Sequence, residues 1–498
     1  MTLPITRRSF LKTTALGAGA AAGSRLFCAP AIFAAGSPGA KLATVVIGCG
    51  GRGVSFQIPA AAGERLVAIV DVDEKRLATV AKAPKAKHPA GDEKKAAGVD
   101  FSKVKKFTDY RKMFDKMGKE IDAVFIATPN HHHAPASLLA MQLGKHVYCE
   151  KPLCHDISEA RRMAEFAAKY KVTTQMGNQG HSCEGMRRLC EYIWAGAVGK
   201  VTTVYTWSNR ANGGVGPRPA ATPVPAGMHW DEWIGPAPYR EHHPDTVVKT
   251  KSGETKVIEL HPHEWHNWHD FGNGSLGNMG CHVIDGAFWA LKLGCAASVE
   301  TEEMLGGSDE RYPVGTRIRW EFPARGDMPP VKLYWFDGKK KGAKMELDAN
   351  DVPGSVAAGS QNLPPLVEEL EKKYKVKLGG NGALYVGDKG VIWSDTYCSS
   401  VRIIPESQHK ATPVPRKTLL RITGSHTDDF LRACHGGEPA CSNFDYAARL
   451  TEVVLLGSLA YIAGPGKKIE WDGPGMKCAN MPELDRWVKC PVRKGWEV

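Results

Sequence analysis

Lys41 to Gly53 reads KLATVVIGCGGRG, and this stretch decides the fold. Its first half is a short apolar run rich in Val and Ile, as a buried parallel strand requires. Its second half spaces glycines as Gly48, Gly50 and Gly53, the G-x-G-x-x-G pattern. The spacing predicts a tight turn at Gly48 and close backbone approach to a pyrophosphate at Gly50. At Gly53 it predicts close packing of the following helix on the strand. Gly51 and Arg52 complete the turn, and Pro59 is expected to shorten the helix. The free N–H groups at that helix start attract phosphate. Arg65 to Val70 reads as the next strand and ends at Asp71. A carboxylate there accepts hydrogen bonds from adenosine ribose hydroxyls and repels a 2′-phosphate, which favours NAD. Arg52 and Arg76 leave NADP as the less favoured alternative.

The alternation continues outward. Ile121 to Ala127 is a buried strand leading into Thr128-Pro129-Asn130-His131-His132-His133. Ala134 to Leu143 reads as a helix stopped by Gly144, and Lys145 to Cys149 as a strand ending at Glu150-Lys151-Pro152. Ser158 to Lys169 is an amphipathic helix, and Val172 to Met176 another strand. Ligands of open parallel sheets collect beyond the carboxyl ends of the strands. The glycine turn, Asp71, the Thr128–His133 loop and Lys151 all fall on that edge.

These motifs, with Leu143 to Pro152 (LGKHVYCEKP) and Asn278 to Asp285 (NMGCHVID), resemble the Gfo/Idh/MocA oxidoreductases. The resemblance implies an α/β chain. A Rossmann doubly wound parallel sheet would be followed by an α/β domain on a largely open antiparallel sheet. The active site would lie between them, and a homo-oligomer would form through the C-terminal sheet. It also implies cofactor contacts at Gly48, Gly50, Gly51, Arg52, Gly53, Asp71, Thr128, Pro129, Asn130, His133, Glu150 and Lys151. Lys151 would point at the nicotinamide and steady developing alkoxide charge.

His282 is the expected acid/base, since an unperturbed imidazole titrates near neutrality. A helix starting near Asn278 would align Asn278, His282, Asp285 and Trp289 on one face. Many dehydrogenases of that family carry aspartate at the place of Asn278. Asparagine either positions the imidazole or simply caps the helix. Were the base weakened, Asp285 or another carboxylate could compensate. The resemblance places His261 to Asp270 (HPHEWHNWHD) at the mouth of the sugar pocket, with structural packing as the second reading. Trp265 and Trp268 would stack on a pyranose, with His266 and Asp270 binding hydroxyls. Gln179 and His181 are further substrate contacts. A metal site in this histidine-rich stretch is the less favoured reading, and none is assigned.

Thr6-Arg7-Arg8-Ser9-Phe10-Leu11-Lys12 precedes an uncharged small-residue run, with no acid before Glu64. That pattern resembles a twin-arginine export signal. The expected organisation is a signal at 1–35, an NAD-binding domain at 36–178 and a substrate-binding domain at 179–498. The formal charge of +12 falls to +8 once Arg7, Arg8, Lys12 and Arg25 leave with the signal. The remaining basic runs, Lys103 to Lys106 and Lys339 to Lys341, read as solvated faces rather than a nucleic-acid site. No later run is read as a membrane span or anchor. Thirteen cysteines do not make a disulfide scaffold, though Cys434/Cys441 and Cys478/Cys490 are possible pairs.

Two activities follow as expectations. One is hydride transfer between a tightly bound nicotinamide cofactor and a sugar, glycoside or polyol. The other is glycoside cleavage through transient oxidation, with the same cofactor restoring the hydroxyl. An exported protein would carry its cofactor with it.

Overall fold

Ala43–Ile47 forms β1, and all five residues are buried. A strand covered on both faces has no polar side to expose, which is why its sequence does not alternate. The computed structural model describes residues 41–80, 100–249, 253–343 and 354–498. Lys41–Val498 forms one unit. The twin-arginine stretch lies outside the described residues.

β1 pairs in parallel with β2 (Arg65–Val70), Ile47 opposite Val70. β3 (Lys105–Phe107), β4 (Ala123–Ile126), β5 (His146–Cys149) and β6 (Thr174–Met176) complete a six-stranded parallel sheet of order β3-β2-β1-β4-β5-β6. β3 is short and its two lysines are exposed, so the basic run at 103–106 lies partly on an edge strand. Lysine at a sheet edge discourages pairing with another chain.

The chain after β1 winds through a widened turn, Gly53–Gln57, into α1 (Ile58–Gly63). The Ile58 N–H bonds the Gly53 oxygen, one residue further back than in an α-helix. Pro59 accounts for this. It has no N–H for the Ser55 carbonyl, and its ring would crowd that carbonyl in a regular turn. α2 (His133–Gln142) follows β4. α3 (Ile157–Tyr170) is opened by a reciprocal cap between Asp156 and Glu159.

The second sheet is mixed and nine-stranded. β7 (Val201–Ser208) lies near its centre, and a separate hairpin, β8 (Pro244–Lys249) and β9 (Thr255–Glu259), branches from the connection that follows. The sheet continues with β10 (Ser298–Leu305), β11 (Gly315–Phe322), β12 (Val331–Gly338), β13 (Gly382–Gly387), β14 (Gly390–Asp395), β15 (Val401–Ile404), β16 (Lys468–Asp472) and β17 (Lys477–Cys478). Its order is β15-β14-β13-β7-β12-β11-β10-β16-β17, with β7 and β12 parallel and every other pairing antiparallel.

One face of this sheet packs on α4 (Gly274–Val283), α5 (Asp285–Ala290) and α7 (Phe444–Ala463); α6 (His426–Cys434) packs beside the first sheet. α7 has 20 residues and mean hydropathy 1.3, enough by length and composition to cross a membrane. It is instead the core helix of this unit, 83% buried and packed against both α3 and β10.

The opposite face divides in two. The helix Pro365–Tyr374 covers Trp207, Phe336 and Leu384. Beyond it Arg319 reaches Glu300, Glu302 and Glu321, a cross-strand charge ladder. All twelve cysteines of the described residues are free thiols, and neither Cys434/Cys441 nor Cys478/Cys490 is joined.

Candidate active site

The strand ends of the first sheet and helix α4, which packs on the second sheet, border one cavity of about 350 Å³. Its floor is the glycine turn. Gly48 has φ +90°, and its N–H bonds the Val70 carbonyl at 2.8 Å. A Cβ on Gly53 would stand 1.8 Å from the Gly48 oxygen, so helix and strand approach to a distance only glycine permits. The cradle and the buried, unpartnered Thr128 hydroxyl beside it fit a dinucleotide.

Asp71 lies at the end of β2. Its oxygens accept the N–H of Cys49 at 2.7 Å and of Asp73 at 2.9 Å. Burial raises its pKa to about 6, against the pull of those N–H bonds. Arg76 covers the turn near Gly50, faces Asp73 at 3.6 Å and donates from Nε to His261 at 3.0 Å. His261, held to about 4 by burial and then by Arg76, is a neutral acceptor there.

The Thr128–His133 loop is mainly a brace. Asn130 donates to Asn273 at 2.9 Å, tying the first sheet to the start of α4. His133 sets one ring nitrogen on the Pro152 oxygen and the other on the Thr128 oxygen, at 2.8 and 2.9 Å. Burial lowers its pKa. Asn130, His133 and Pro129 border the cavity, but the Asn130 side-chain N–H and both His133 ring nitrogens are engaged within the protein. Glu150 accepts from Arg52 at 3.3 Å and from Gln57. Arg52 also lies over the Phe56 ring at 3.8 Å.

Lys151 is gripped by Asn278. Nζ donates to the Asn278 side-chain oxygen at 2.8 Å and to its backbone oxygen at 2.5 Å. The Asn278 amide donates in turn to Asn212 at 2.9 Å. Burial, then the cations Arg52 and Arg210, bring Lys151 down to about 8 despite the opposing pull of Glu150. His282, one turn on, borders the same cavity. Its buried Nδ1 has no partner, and its ring meets Tyr397 edge-on at 4.9 Å. Burial, then Lys151 and Arg52, hold its pKa well below 6.5. An imidazole expected near neutrality is therefore held uncharged.

Three sequence expectations change here. Asn278 is no helix cap, because α4 begins at Gly274 after Asn273. It positions the lysine rather than the imidazole. The polar stripe is also divided. Asp285, at the start of α5, turns away from the cavity toward Asn178 (2.8 Å), His181 (3.0 Å) and Tyr446 (2.5 Å). His181 is buried in that cluster, stacked on Trp289 at 4.3 Å. A buried carboxylate needs such partners, and satisfying them removes Asp285 and His181 from substrate contact.

Asp270 is displaced as well. It pairs with Arg240 and borders a different cavity, with His155 and Trp487. Trp265 and His266 do line the active cavity, stacked at 3.6 Å, and Gln179 reaches it while donating to Tyr148 at 3.2 Å. Trp268 is buried against His243 and donates to Asp245. The histidines of this stretch take separate partners: His263 faces Glu264, His266 the His263 oxygen, and His269 the Asp309 oxygen.

Arg210, Asn212 and Tyr397 were not singled out from the sequence. The signal for the first two was their place: Asn209-Arg210-Ala211-Asn212 follows the carboxyl end of β7 directly. Tyr397 lies in a turn between strands and carried no such signal.

Residues 42–178 match the model of the oxidoreductase family with an NAD-binding Rossmann fold. Among curated proteins, the chain is 28% identical over 186 residues to inositol 2-dehydrogenase of Rubrobacter xylanophilus, 34% of this chain and 45% of that protein. It is 32% identical over 119 residues to D-xylose 1-dehydrogenase [NADP(+)] of Haloarcula marismortui, 23% of this chain and 33% of that one. The chain thus spans less than half the length of these curated relatives. Among solved structures, aldose-aldose oxidoreductase from Caulobacter crescentus aligns with TM-score 0.51 and 18% identity, over 86% of this chain and 100% of that one. The WlbA dehydrogenase from Bordetella pertussis, solved with NADH and UDP-GlcNAcA, aligns at 0.52 and 16%, over 86% and 99%. At such identity these two share the fold.

Proposed function

We propose that this chain is an oxidoreductase of the Gfo/Idh/MocA type, transferring hydride between a tightly held NAD and a sugar, glycoside or polyol. The observation that carries the reading is the paired grip of Asn278 on Lys151 in the lining of the glycine-floored cavity. A nicotinamide dinucleotide, when bound, supplies the hydride acceptor or donor. Gly48, Gly50, Gly51, Gly53 and Thr128 would hold its pyrophosphate side, and Asp71 its ribose. Asp71 favours NAD, while Arg76 beside Gly50 keeps NADP within reach.

The proton chemistry belongs to this chain. Two N–H bonds of Lys151 are directed to Asn278, so one tetrahedral position on Nζ remains. In the neutral amine that position is a lone pair that takes the alcohol proton. In the ammonium it is the N–H that steadies the oxygen. A pKa of about 8 lets both forms exist near neutrality. His282, kept uncharged by burial and by Lys151, is suited to hold the substrate hydroxyl at Nδ1. Protonating it would set two cations side by side in a buried site. Trp265 offers its face to a sugar ring, stacked on its other side against His266.

The same reading includes export by the twin-arginine route with cofactor already bound, and a homo-oligomer through the second sheet. The charge ladder around Arg319 gives that contact a polar face.

Denaturing the purified protein and identifying the released small molecules by mass spectrometry tests the reading. A nicotinamide dinucleotide is expected, and its redox state should respond to added sugars. A protein that neither retains nor binds a dinucleotide ends the proposal.

A further inference from the structure

Arg210 is a cation at the active cavity that the reaction above leaves unused. It lines the cavity with Lys151, Asn278, His263 and Tyr397. Nη1 donates to the Ser355 hydroxyl at 2.6 Å, while Nε is buried with no partner. Among the described residues Arg210 faces no carboxylate. Arg52, the other arginine lining the cavity, has Glu150, and Arg76 beside the glycine turn has Asp73. Among the described residues each cavity carboxylate already has a cationic or N–H partner. Asp109 and Glu232 face Arg111 and Lys112, Glu150 faces Arg52, and Asp71 is held by backbone N–H groups.

A partly buried guanidinium with an unmet donor and no counter-charge is costly unless a ligand supplies the anion. The planar fork of arginine matches a carboxylate through two parallel N–H bonds. Position separates this cation from the cofactor's phosphates. Arg210 follows β7 in the second sheet, two residues before the Asn212 that holds Asn278, whereas the phosphate-binding turn is at Gly48–Gly53.

We propose that Arg210 binds a carboxylate on the substrate, so that the sugar this protein acts on is an acidic one, of the uronate class. The inference rests on the hydride-transfer reading of the same cavity and narrows its substrate. Arg210 is one of the cations pushing Lys151 down. A carboxylate seated on Arg210 opposes that push while the sugar is bound.

The test is calorimetric titration of the cofactor-loaded protein with D-glucuronate, D-galacturonate and D-mannuronate, each beside its parent hexose and its hexose 6-phosphate. At least one uronate is expected to bind about tenfold more tightly than its hexose, the worth of one charge-assisted contact. Arg210→Gln should erase that preference, and Arg210→Lys should restore part of it, with NADH affinity reporting that the fold is intact. If the Gln variant does not fold, the wild-type pairs decide alone. The proposal is overturned if no uronate exceeds its hexose, if a 6-phosphate is preferred to every uronate, or if folded Arg210→Gln keeps the preference. Because binding is read directly, a uronate that binds without altering the nicotinamide supports the role of Arg210 and counts against hydride transfer instead.

Discussion

Lys151 and Asn278, 127 residues apart in sequence, meet through two hydrogen bonds from one ammonium, to the side-chain and the backbone oxygen of the same asparagine. This arrangement leaves Nζ a single free position, and the chemistry of the cavity follows from where that position points and when it is protonated.

Alcohol oxidation should therefore rise with pH through a limb near 8, where Lys151 becomes neutral, and sugar reduction should fall through the same limb. Lys151→Met should lower turnover by about 10²–10⁴-fold and remove the limb. A pH–rate profile in both directions checks it. A limb near 6.5 that survives in the variant would return the proton to another group.

Asn278→Asp would place a carboxylate on the lysine. An opposite charge at this distance favours the ammonium, so the limb should move up by about one to three units. Oxidation at pH 7 should fall correspondingly, while dinucleotide affinity stays within a small factor. The profile moving down, or not at all, would show that the amide does not set the lysine.

The Asp71 carboxylate is raised to about 6 by burial. The native state therefore binds more protons than the unfolded chain between the ordinary aspartate pKa and 6, and this group's contribution to stability declines as pH rises through that window. Ribose binding runs the other way, since it uses the ionised form. NAD should bind more tightly at pH 7 than at pH 5, and Asp71→Asn should flatten that dependence and narrow the gap between NAD and NADP. Fluorescence titration of NADH and NADPH at the two pH values measures both.

Gly53→Ala should abolish dinucleotide retention, because its Cβ would collide with the Gly48 oxygen and open the turn. Relieving that overlap is expected to cost about 1–3 kcal/mol of stability. Mass spectrometry of bound dinucleotide and a denaturant midpoint read the two effects separately.

Asp285→Ala should act on the fold. Asn178, His181 and Tyr446 would each lose a buried partner, and breaking such a cluster costs about 3–5 kcal/mol. Denaturant unfolding should show that loss, with KM for sugar little changed in the protein that remains folded. An unchanged midpoint with a raised KM would return Asp285 to the substrate.

The repeating strands of the first sheet were legible because each is a run of neighbours with one burial requirement. The glycine turn was legible for the same reason: Gly53 answers to the Gly48 backbone five residues away, and Gly48 to its own positive φ. Lys151 and His282 could also be named, one by its strand end and one by its helix. Their charge states could not. A pKa follows from burial and from cations such as Arg52, which reach His282 from a distant part of the chain. The histidine was expected to titrate near neutrality and burial holds it well below that, while burial brings the lysine down to about 8.

Within the sequence alone lay everything set by local periodicity: the parallel sheet, the phosphate-binding turn, the acid after β2 and the polar residues of the Asn278 helix. Tertiary structure decided which of those polar residues share a cavity. Asp285 meets Asn178, His181 and Tyr446 in a buried cluster, and the end of β7 brings Arg210 to the lysine's cavity and Asn212 to Asn278. The physical reason is range. Backbone pattern is settled by neighbours along the chain, whereas desolvation and charge depend on distances through space that only the folded chain sets.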